Sequence, residues 1–272
     1  MKKLLIVASL LAGTASAQSA DMALKASPPA PAWSWTGFYV GANLGEAWGT
    51  FDSTTTVSQP AGGYFITTDQ GQIAASGVQR IKANGFTGGF EAGYNIQSDR
   101  WVFGLEGDIE SFHLSGKATS GPIVYLSAPA AAFAVNSSVS SDWLATVRGR
   151  VGFLATPALL LYGTGGLAVA NVNAAYLFTD NLAPAAESAT ISTTRYGWTA
   201  GAGGEYALMN GWSIKAEYLY ADLGRAGTIS TNLITGGAPV PTNAFIHTVN
   251  LRSNIGRIGI NYKFGGPAVA KY

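Results

Sequence analysis

The sequence predicts an all-β fold, an eight-stranded antiparallel transmembrane β-barrel with short periplasmic turns and four long extracellular loops. Three observations lead there. Apolar and polar residues alternate with period two in eight separate runs, which is the strand period. Short and long connections alternate strictly between those runs, as in outer-membrane barrels. The 272-residue chain opens with an export signal. After that signal it holds no stretch of about 18 consecutive apolar residues, so it offers no transmembrane helix.

The export signal consists of Lys2 and Lys3, a short apolar run from Leu4 to Ala12, and the small-x-small cleavage site Ala15-Ser16-Ala17. Cleavage is expected after Ala17, because a cut after Ala20 would put Gln18 at a position that prefers a small residue. Residues 1–17 are therefore a signal peptide. Residues 18–34 form a periplasmic linker containing Ser27-Pro28-Pro29-Ala30-Pro31, whose prolines resist sheet pairing. Residues 35–264 form the barrel and residues 265–272 a periplasmic tail. There is no cysteine, which excludes disulfides and thiolate metal sites. The formal net charge of +1 becomes −1 once Lys2 and Lys3 are removed, a balance that does not suit a nucleic-acid partner.

The first strand is expected over residues 35–48, with Phe38, Val40, Ala42 and Leu44 on one face. The second covers 85–97, where Phe86, Phe90 and Tyr94 oppose Thr87, Glu91 and Asn95. The third covers 101–112, with Trp101, Phe103, Leu105 and Ile109 against Glu106, Asp108 and Glu110. The fourth, 142–154, sets Val147 and Val151 against Arg148 and Arg150. The fifth, 158–172, is glycine-rich. The sixth and seventh, 195–208 and 211–223, carry Trp198 and Tyr206 against Glu205, then Ile214 and Tyr218 against Lys215 and Glu217. The eighth, about 246–264, reads less cleanly. Val249 and Leu251 are out of phase with Ile258 and Ile260, so either a bulge lies near 253–256 or its first half belongs to a loop rim.

Three connections are short: Ser98-Asp99-Arg100, Ala155-Thr156-Pro157 and Asn210-Gly211. Four are long, at about 49–84, 113–141, 173–194 and 224–245, rich in Ser, Thr, Gly and Ala and poor in charge. No amphipathic helix with a strong apolar face stands out. An even strand number returns both termini to the periplasm.

Charged residues fall on the faces expected to point inward: Glu91, Glu106, Asp108, Glu110, Arg148, Arg150, Glu205, Lys215, Glu217, Arg257 and Lys263. Eight strands leave an interior that side chains alone can fill, so these charges must pair with one another. They read either as a plug that fixes register or as the lining of a narrow conduction path. Trp35, Tyr94, Trp101, Trp143, Trp198, Trp212, Tyr218 and Tyr220 are expected in aromatic belts at the two membrane–water interfaces.

Other chemistry finds little support. Gly201-Ala202-Gly203-Gly204 lacks the following helix and lysine of a phosphate loop, and these glycines read as curvature sites in strands. His113 and His247 are the only imidazoles, and Ser111, Ser115 and Glu110 near His113 do not by themselves make a hydrolase site. Two histidines and scattered acids give no metal-ligand spacing. No catalytic residue, cofactor or metal is expected, and the chain reads as a non-enzyme.

Several segments carry a family likeness. Trp35-Thr36-Gly37-Phe38-Tyr39-Val40-Gly41-Ala42-Asn43-Leu44-Gly45 resembles the opening strand of the porin-like outer membrane immunogenic proteins of alphaproteobacteria, within the opacity-protein and OmpA-like barrel superfamily. Residues 142–152 (DWLATVRGRVG) resemble the family's fourth strand, residues 197–203 its sixth, and residues 212–218 with Asn261-Tyr262-Lys263-Phe264 its last two. The likeness covers roughly residues 33–264. It implies an abundant eight-stranded barrel in the outer membrane of a Gram-negative cell, with roles in envelope integrity and surface exposure. It supplies no catalytic residue to carry over. It also implies that the terminal aromatics, Phe264 or Tyr272, are read by the barrel assembly machinery. No peptidoglycan-binding domain is expected after the barrel.

The expected function is accordingly a non-enzymatic barrel that supports the envelope and presents surface loops. The alternatives are a small-solute channel through the charged lumen and an adhesin or receptor-binding protein acting through the loops. Expected partners are outer-membrane lipids and lipopolysaccharide, the assembly machinery during biogenesis, and a surface ligand at the loops. A soluble lipocalin-like transporter is the alternative fold.

Overall fold

A computed structural model describes residues 33–58 and 63–265. The expected signal peptide, residues 18–32 of the expected linker and residues 266–272 of the expected tail lie outside the described residues. The elements are β1 (Gly37–Ser58), α1 (Thr67–Ser76), β2 (Gln79–Ser98), β3 (Trp101–Val124), β4 (Ala132–Thr156), β5 (Leu159–Asp180), β6 (Ala185–Ala207), β7 (Trp212–Ser230), a small hairpin of β8 (Ile234–Thr235) and β9 (Ala238–Pro239), and β10 (Ala244–Lys263). The eight long strands close into a ring by antiparallel pairing of sequence neighbours. The first and last strands, β1 and β10, seal it over a register running from Tyr39↔Lys263 to Ser58↔Ala244.

One end of the ring carries tight turns. Ser98 pairs with Trp101 across Asp99, which adopts φ 52°. Asn210 and Gly211 adopt φ 60° and 87°. Asparagine and glycine enter this left-handed region at low cost, and the resulting turn matches the twist of the flanking strands.

At the opposite end the strands run much further than expected. β3 has 24 residues and β4 has 25, whereas a tilted strand crosses a bilayer in about 9–11. Most of the four long connections is therefore ordered sheet beyond the crossing. The reason for the shortfall is the weak polarity contrast of these segments. Both faces carry small or weakly polar residues, as in Asn136-Ser137-Ser138-Val139, where Ser137 and Val139 point inward and Asn136 and Ser138 outward. Only the pairing partner shows them to be strands, as with Lys117↔Ser138 and Ser137↔Tyr176. The segment between β1 and β2 contains α1, for which the sequence shows no apolar stripe. α1 is held by its first turn and one buried face: the Asp69 carboxylate accepts from the Ile66 backbone N–H at 3.3 Å and from the Ser127 hydroxyl, and Ile73 is buried.

The interior is stacked in layers along the barrel axis. At the turn end, Trp35, Val102, Leu154, Leu160, Tyr162 and Ala207 pack together. A charged layer follows. Above it lies a broad apolar layer that includes Ala47, Phe51, Ile81, Phe112, Leu144, Leu219, Val249, Leu251 and Ile255. The far end is closed by Phe65, Ile73, Tyr125, Phe133, Phe178, Leu233 and Phe245. There Tyr64 and Tyr125 donate to the Asp180 carboxylate at 3.1 and 2.8 Å. Burial, then the Asp180 charge, pushes the Tyr64 phenol up to about 12, and burial with the Asp180 hydrogen bond pushes Tyr125 up as well.

This layering resolves the odd phase of the last strand. Alternation along β10 is unbroken: Val249, Leu251 and Ile255 point inward into the apolar layer, while Ile258 and Ile260 point outward. The residues change face because the interior changes character, and no bulge occurs at 253–256. The register shift lies between Asn250 and Arg252, where β7 carries extra chain around Gly224 (φ 71°).

The ring has one incomplete seam. The β6–β7 ladder stops at Trp198↔Asp222. Residues 187–197 of β6 have no ladder partner on that side, and pairing resumes only with β8 at Ala186↔Ile234. The upper end of the gap is held by side chains: Ser230 donates to Glu187, and the Asn232 amide donates to the Ser188 carbonyl at 2.7 Å.

Two outcomes follow. Ile255 is 0% exposed and Ile258 59% exposed, so Ile255→Ala should cost about 2–4 kcal/mol through cavity formation. Ile258→Ala should cost distinctly less because lipid refills the space. Urea unfolding in lipid vesicles separates the two. Raising the pH from 10 through 12 should loosen the far end, since an unfolded chain ionises Tyr64 in that window while the folded one keeps its proton. Limited proteolysis around α1 reports the loosening, and Tyr64→Phe should weaken it.

Candidate functional site

The charged layer is the densest polar constellation in the molecule. It forms because inward positions on neighbouring strands are placed side by side by the register. Glu106 stands opposite Arg148, Glu205 opposite Lys215, and Glu217 opposite Arg257. Glu91 stands opposite Asp108, an unfavourable pair on its own. Cations from across the lumen relieve it: Lys215 lies 2.6 Å from Glu91, and Arg257 lies 3.4 Å from Asp108.

Arg148 is the hub. Its guanidinium is fully buried and reaches Glu106 at 2.5 Å, Asp108 at 2.7 Å, Glu217 at 3.0 Å and the Thr146 hydroxyl at 2.9 Å. Arg257 lies against Glu217 and Glu110. Arg150 bonds Glu205 at 2.7 Å and stacks 4.1 Å above the Tyr162 ring. Six carboxylates share four cations here, and hydroxyls offset the excess. Tyr39 donates to Glu106 at 2.6 Å, Thr87 to Glu110 at 2.6 Å, Thr146 to Asp108 at 2.7 Å, Tyr162 to Glu217 at 3.0 Å and Ser213 to Glu205 at 2.6 Å. Asn43 and Asn261 donate to Glu91 and Glu205. Inward glycines make the room: a Cβ on Gly93 would stand 2.5 Å from the Tyr39 hydroxyl, and one on Gly203 would stand 2.6 Å from that of Tyr162.

Ten of the eleven charged residues expected inside meet in this layer. The exception is Lys263, which corrects the expectation. It sits at the rim of the turn end, where its ammonium reaches the Thr36 and Gly265 carbonyls at 3.4 and 3.5 Å and lies 5.5 Å from the Trp33 ring. It has no carboxylate partner among the described residues. The physical reason is its place at the end of β10, below the level of the acids.

The aromatic expectation also needs one correction. Trp35 is 2% exposed and is part of the interior floor, not of an outer belt. It precedes β1, and Gly37 (φ 139°) turns the chain inward there, out of the strand's alternation. Its indole donates to the Pro157 carbonyl at 3.3 Å. The others lie on the outward face. Trp101 packs on Phe153 and Trp212 on Tyr262 near the turn end, with Tyr94 beside Phe38. Trp48 with Tyr218, Trp198 with Tyr220, and the half-buried Trp143 mark a second level. The apolar band between the levels is about 20 Å tall for strands rising about 3.4 Å per residue at a tilt of about 40°.

A second buried polar group escaped the sequence reading. His247 points inward, 1% exposed. Its Nδ1 is 3.0 Å from the Thr55 hydroxyl, its Nε2 3.3 Å from Glu187, and its ring stacks on Tyr176 at 4.3 Å. It forms a polar belt inside the extension. Glu187 lies in what reads as a loop, so no sequence signal pointed to the pair. His113 is on the outward face, 3.2 Å from the Ser111 hydroxyl, with no carboxylate bound to its ring among the described residues.

Comparison with known proteins agrees with this architecture. Residues 5–264 match the family model described as "Outer membrane protein beta-barrel domain". The chain is 35% identical to the 31 kDa outer-membrane immunogenic protein of Brucella melitensis, over 96% of this chain and 100% of that one. It is 28% identical to the 25 kDa outer-membrane immunogenic protein of Brucella abortus, over 97% and 99%. It is 30% identical to the 22 kDa outer membrane protein of Rhizobium leguminosarum bv. viciae, over 72% and 67%.

Removing Arg148 takes the central cation away from three buried carboxylates, Glu106, Asp108 and Glu217. Arg148→Ala should destabilise the barrel by about 3–5 kcal/mol, measured by urea unfolding followed by the gel-mobility difference between folded and heat-denatured protein. A loss below about 1 kcal/mol would mean that water reaches the layer and screens it. An eight-stranded ring with an outward apolar band, aromatic belts and a charged, filled interior thus coincides with the family match over nearly the whole chain, and the protein belongs to the outer-membrane β-barrel domain family.

Proposed function

We propose that this protein is a non-conducting, non-enzymatic barrel of the outer membrane that anchors an ordered extension at the cell surface and braces the envelope. The observation that carries the reading is the filled interior. Apolar layers lie on both sides of the charged layer, with Trp35 and Leu160 below it and Ala47, Leu219, Val249 and Ile255 above it. Ions crossing the barrel would have to pass two closely packed, largely apolar layers, where desolvation costs many kcal/mol. This favours the charges as a register lock and a plug over the lining of a channel.

The extension supports the surface role. Its strands continue the barrel wall, and it holds its own core and a helix packed at its tip. Exposed apolar residues gather at that tip, among them Ile66, Val124 and Leu126. This favours contact with another surface as a second reading. The names of the relatives, immunogenic proteins of the outer membrane, fit a chain displayed outside the cell.

The test is electrical. Protein shown to be folded by its gel mobility and inserted into a planar bilayer should pass no steady current. Arg148→Ala should not open one either, because the apolar layers remain. Stable single-channel steps from the unaltered chain would overturn the reading.

A further inference from the structure

The seam between β6 and β7 stays open because the two strands are out of phase. Their last pair is Trp198↔Asp222, and β6 next pairs at Ala186↔Ile234. The same number of residues lies between these points on both sides, 187–197 and 223–233. β7 bulges around Gly224, so its alternation flips: Leu223 points inward, and beyond the bulge Ala226 does. β6 has no such bulge, since its register with β5 is unbroken from Leu159↔Tyr206 to Asp180↔Ala185. Continuing the lower register would set inward Ile191 against outward Ile229, and Arg195 against Arg225. A phase error of one residue and two opposed like charges keep the strands from pairing.

The free edge of β6 has a definite set of backbone groups. In an antiparallel sheet the N–H and C=O of one residue point to the same side, and the side alternates along the strand. Ala207 donates to the Ala158 carbonyl, on the β5 side. Even-numbered residues therefore turn their backbone toward the slit: Ser188, Thr190, Ser192, Thr194 and Tyr196. The Asn232 amide takes the Ser188 carbonyl at 2.7 Å, and the other four have no ladder partner on that side. All lie beyond Trp198, which marks the outer aromatic level, so the edge stands clear of the lipid. Thr193 is exposed although its alternation points inward, so the slit admits water. The Arg195 guanidinium lies over the bulge, 3.6 Å from where a Cβ on Gly224 would stand. Arg225 is exposed and donates to the Asn250 side chain at 3.2 Å. Asp222, at the foot of the slit, is engaged by Arg252 at 3.1 Å.

We propose that the free edge of β6 binds an extended segment of another polypeptide as an added strand, with an acidic end of that segment between Arg195 and Arg225. A row of unpaired backbone groups is a template for such a strand. The side chains around it set the chemistry. Ser188, Thr190, Ser192 and Thr194 are exposed on the outer face, so hydroxyl-bearing residues fit there. Ile191 and Ala226 line the inner face, so small apolar residues fit on that side. The arginines select the occupant: a second copy of this chain, pairing through the same edge, would bring a further Arg195 to a place already cationic. The inference goes beyond the closed lumen, and a conducting barrel would leave it standing.

The experiment uses the whole barrel, folded in detergent micelles and checked by gel mobility. The probe is a fluorescent peptide of about eight residues that alternates threonine with alanine and ends in two aspartates. Fluorescence anisotropy should show saturable binding. Methylating alternate backbone nitrogens of the peptide should weaken it about tenfold or more, because strand pairing needs those donors. Ser192→Pro should do the same, since it removes an N–H that faces the slit and none that faces β5. Arg195→Glu/Arg225→Glu should reverse the preference, toward a peptide ending in two lysines. No binding of the aspartate peptide would overturn the proposal. So would equal binding of the methylated peptide, which would mean charge adhesion without a strand. Dimers of the barrel that Ser192→Pro dissolves would overturn it in favour of a second copy.

Discussion

A ring of eight strands leaves room inside for side chains and nothing else, and almost every feature of this molecule answers to that constraint. Half of all strand residues must point into a narrow interior, so the interior has to be solved as a packing problem at each height. Where the wall faces lipid, the solution is a charged layer woven through Arg148, with glycines at Gly93 and Gly203 making way for two tyrosines. Where the wall rises beyond the lipid, the solution is a largely apolar core interrupted by the His247–Glu187 belt. At both ends aromatic residues close the stack.

The choice of charges inside a membrane-spanning wall has a physical logic. Buried ion pairs seldom stabilise a fold more than well-packed apolar residues would. They discriminate strongly between registers, because a one-residue slip would turn every inward charge toward lipid. The network links β2, β3, β4, β6, β7 and β10, so a wrong pairing anywhere in the ring leaves carboxylates stranded. For a sheet whose outward face is a uniform apolar band, such a lock supplies the discrimination that the outward face lacks.

Much of this was legible in the sequence, and the failures share a cause. Alternation was visible wherever the two faces of a strand differ sharply, as in Glu106 and Asp108 between Leu105 and Ile109. It faded where both faces are small or weakly polar, which hid the outer halves of β3, β4, β5 and β6 and the pairing of His247 with Glu187. The last strand misled for a different reason. Val249 and Leu251 depart from the rule that apolar means outward, a rule that holds only within the lipid. Trp35 and Lys263 both lie at the turn end, where position along the barrel axis and not residue type decides the surroundings.

The incomplete seam between β6 and β7 gives the molecule a preferred place to breathe. Over residues 187–197 one edge of β6 has no ladder to hold its amides, and beneath it the ring is sealed by pairs from Trp198↔Asp222 down to Ala207↔Ser213. Exchange of backbone protons with water, and any transient parting of the wall, should begin along that edge and stop at the membrane. Fluctuations of the exposed part are thereby separated in time from the buried ring, which keeps its closure while the extension above it flexes.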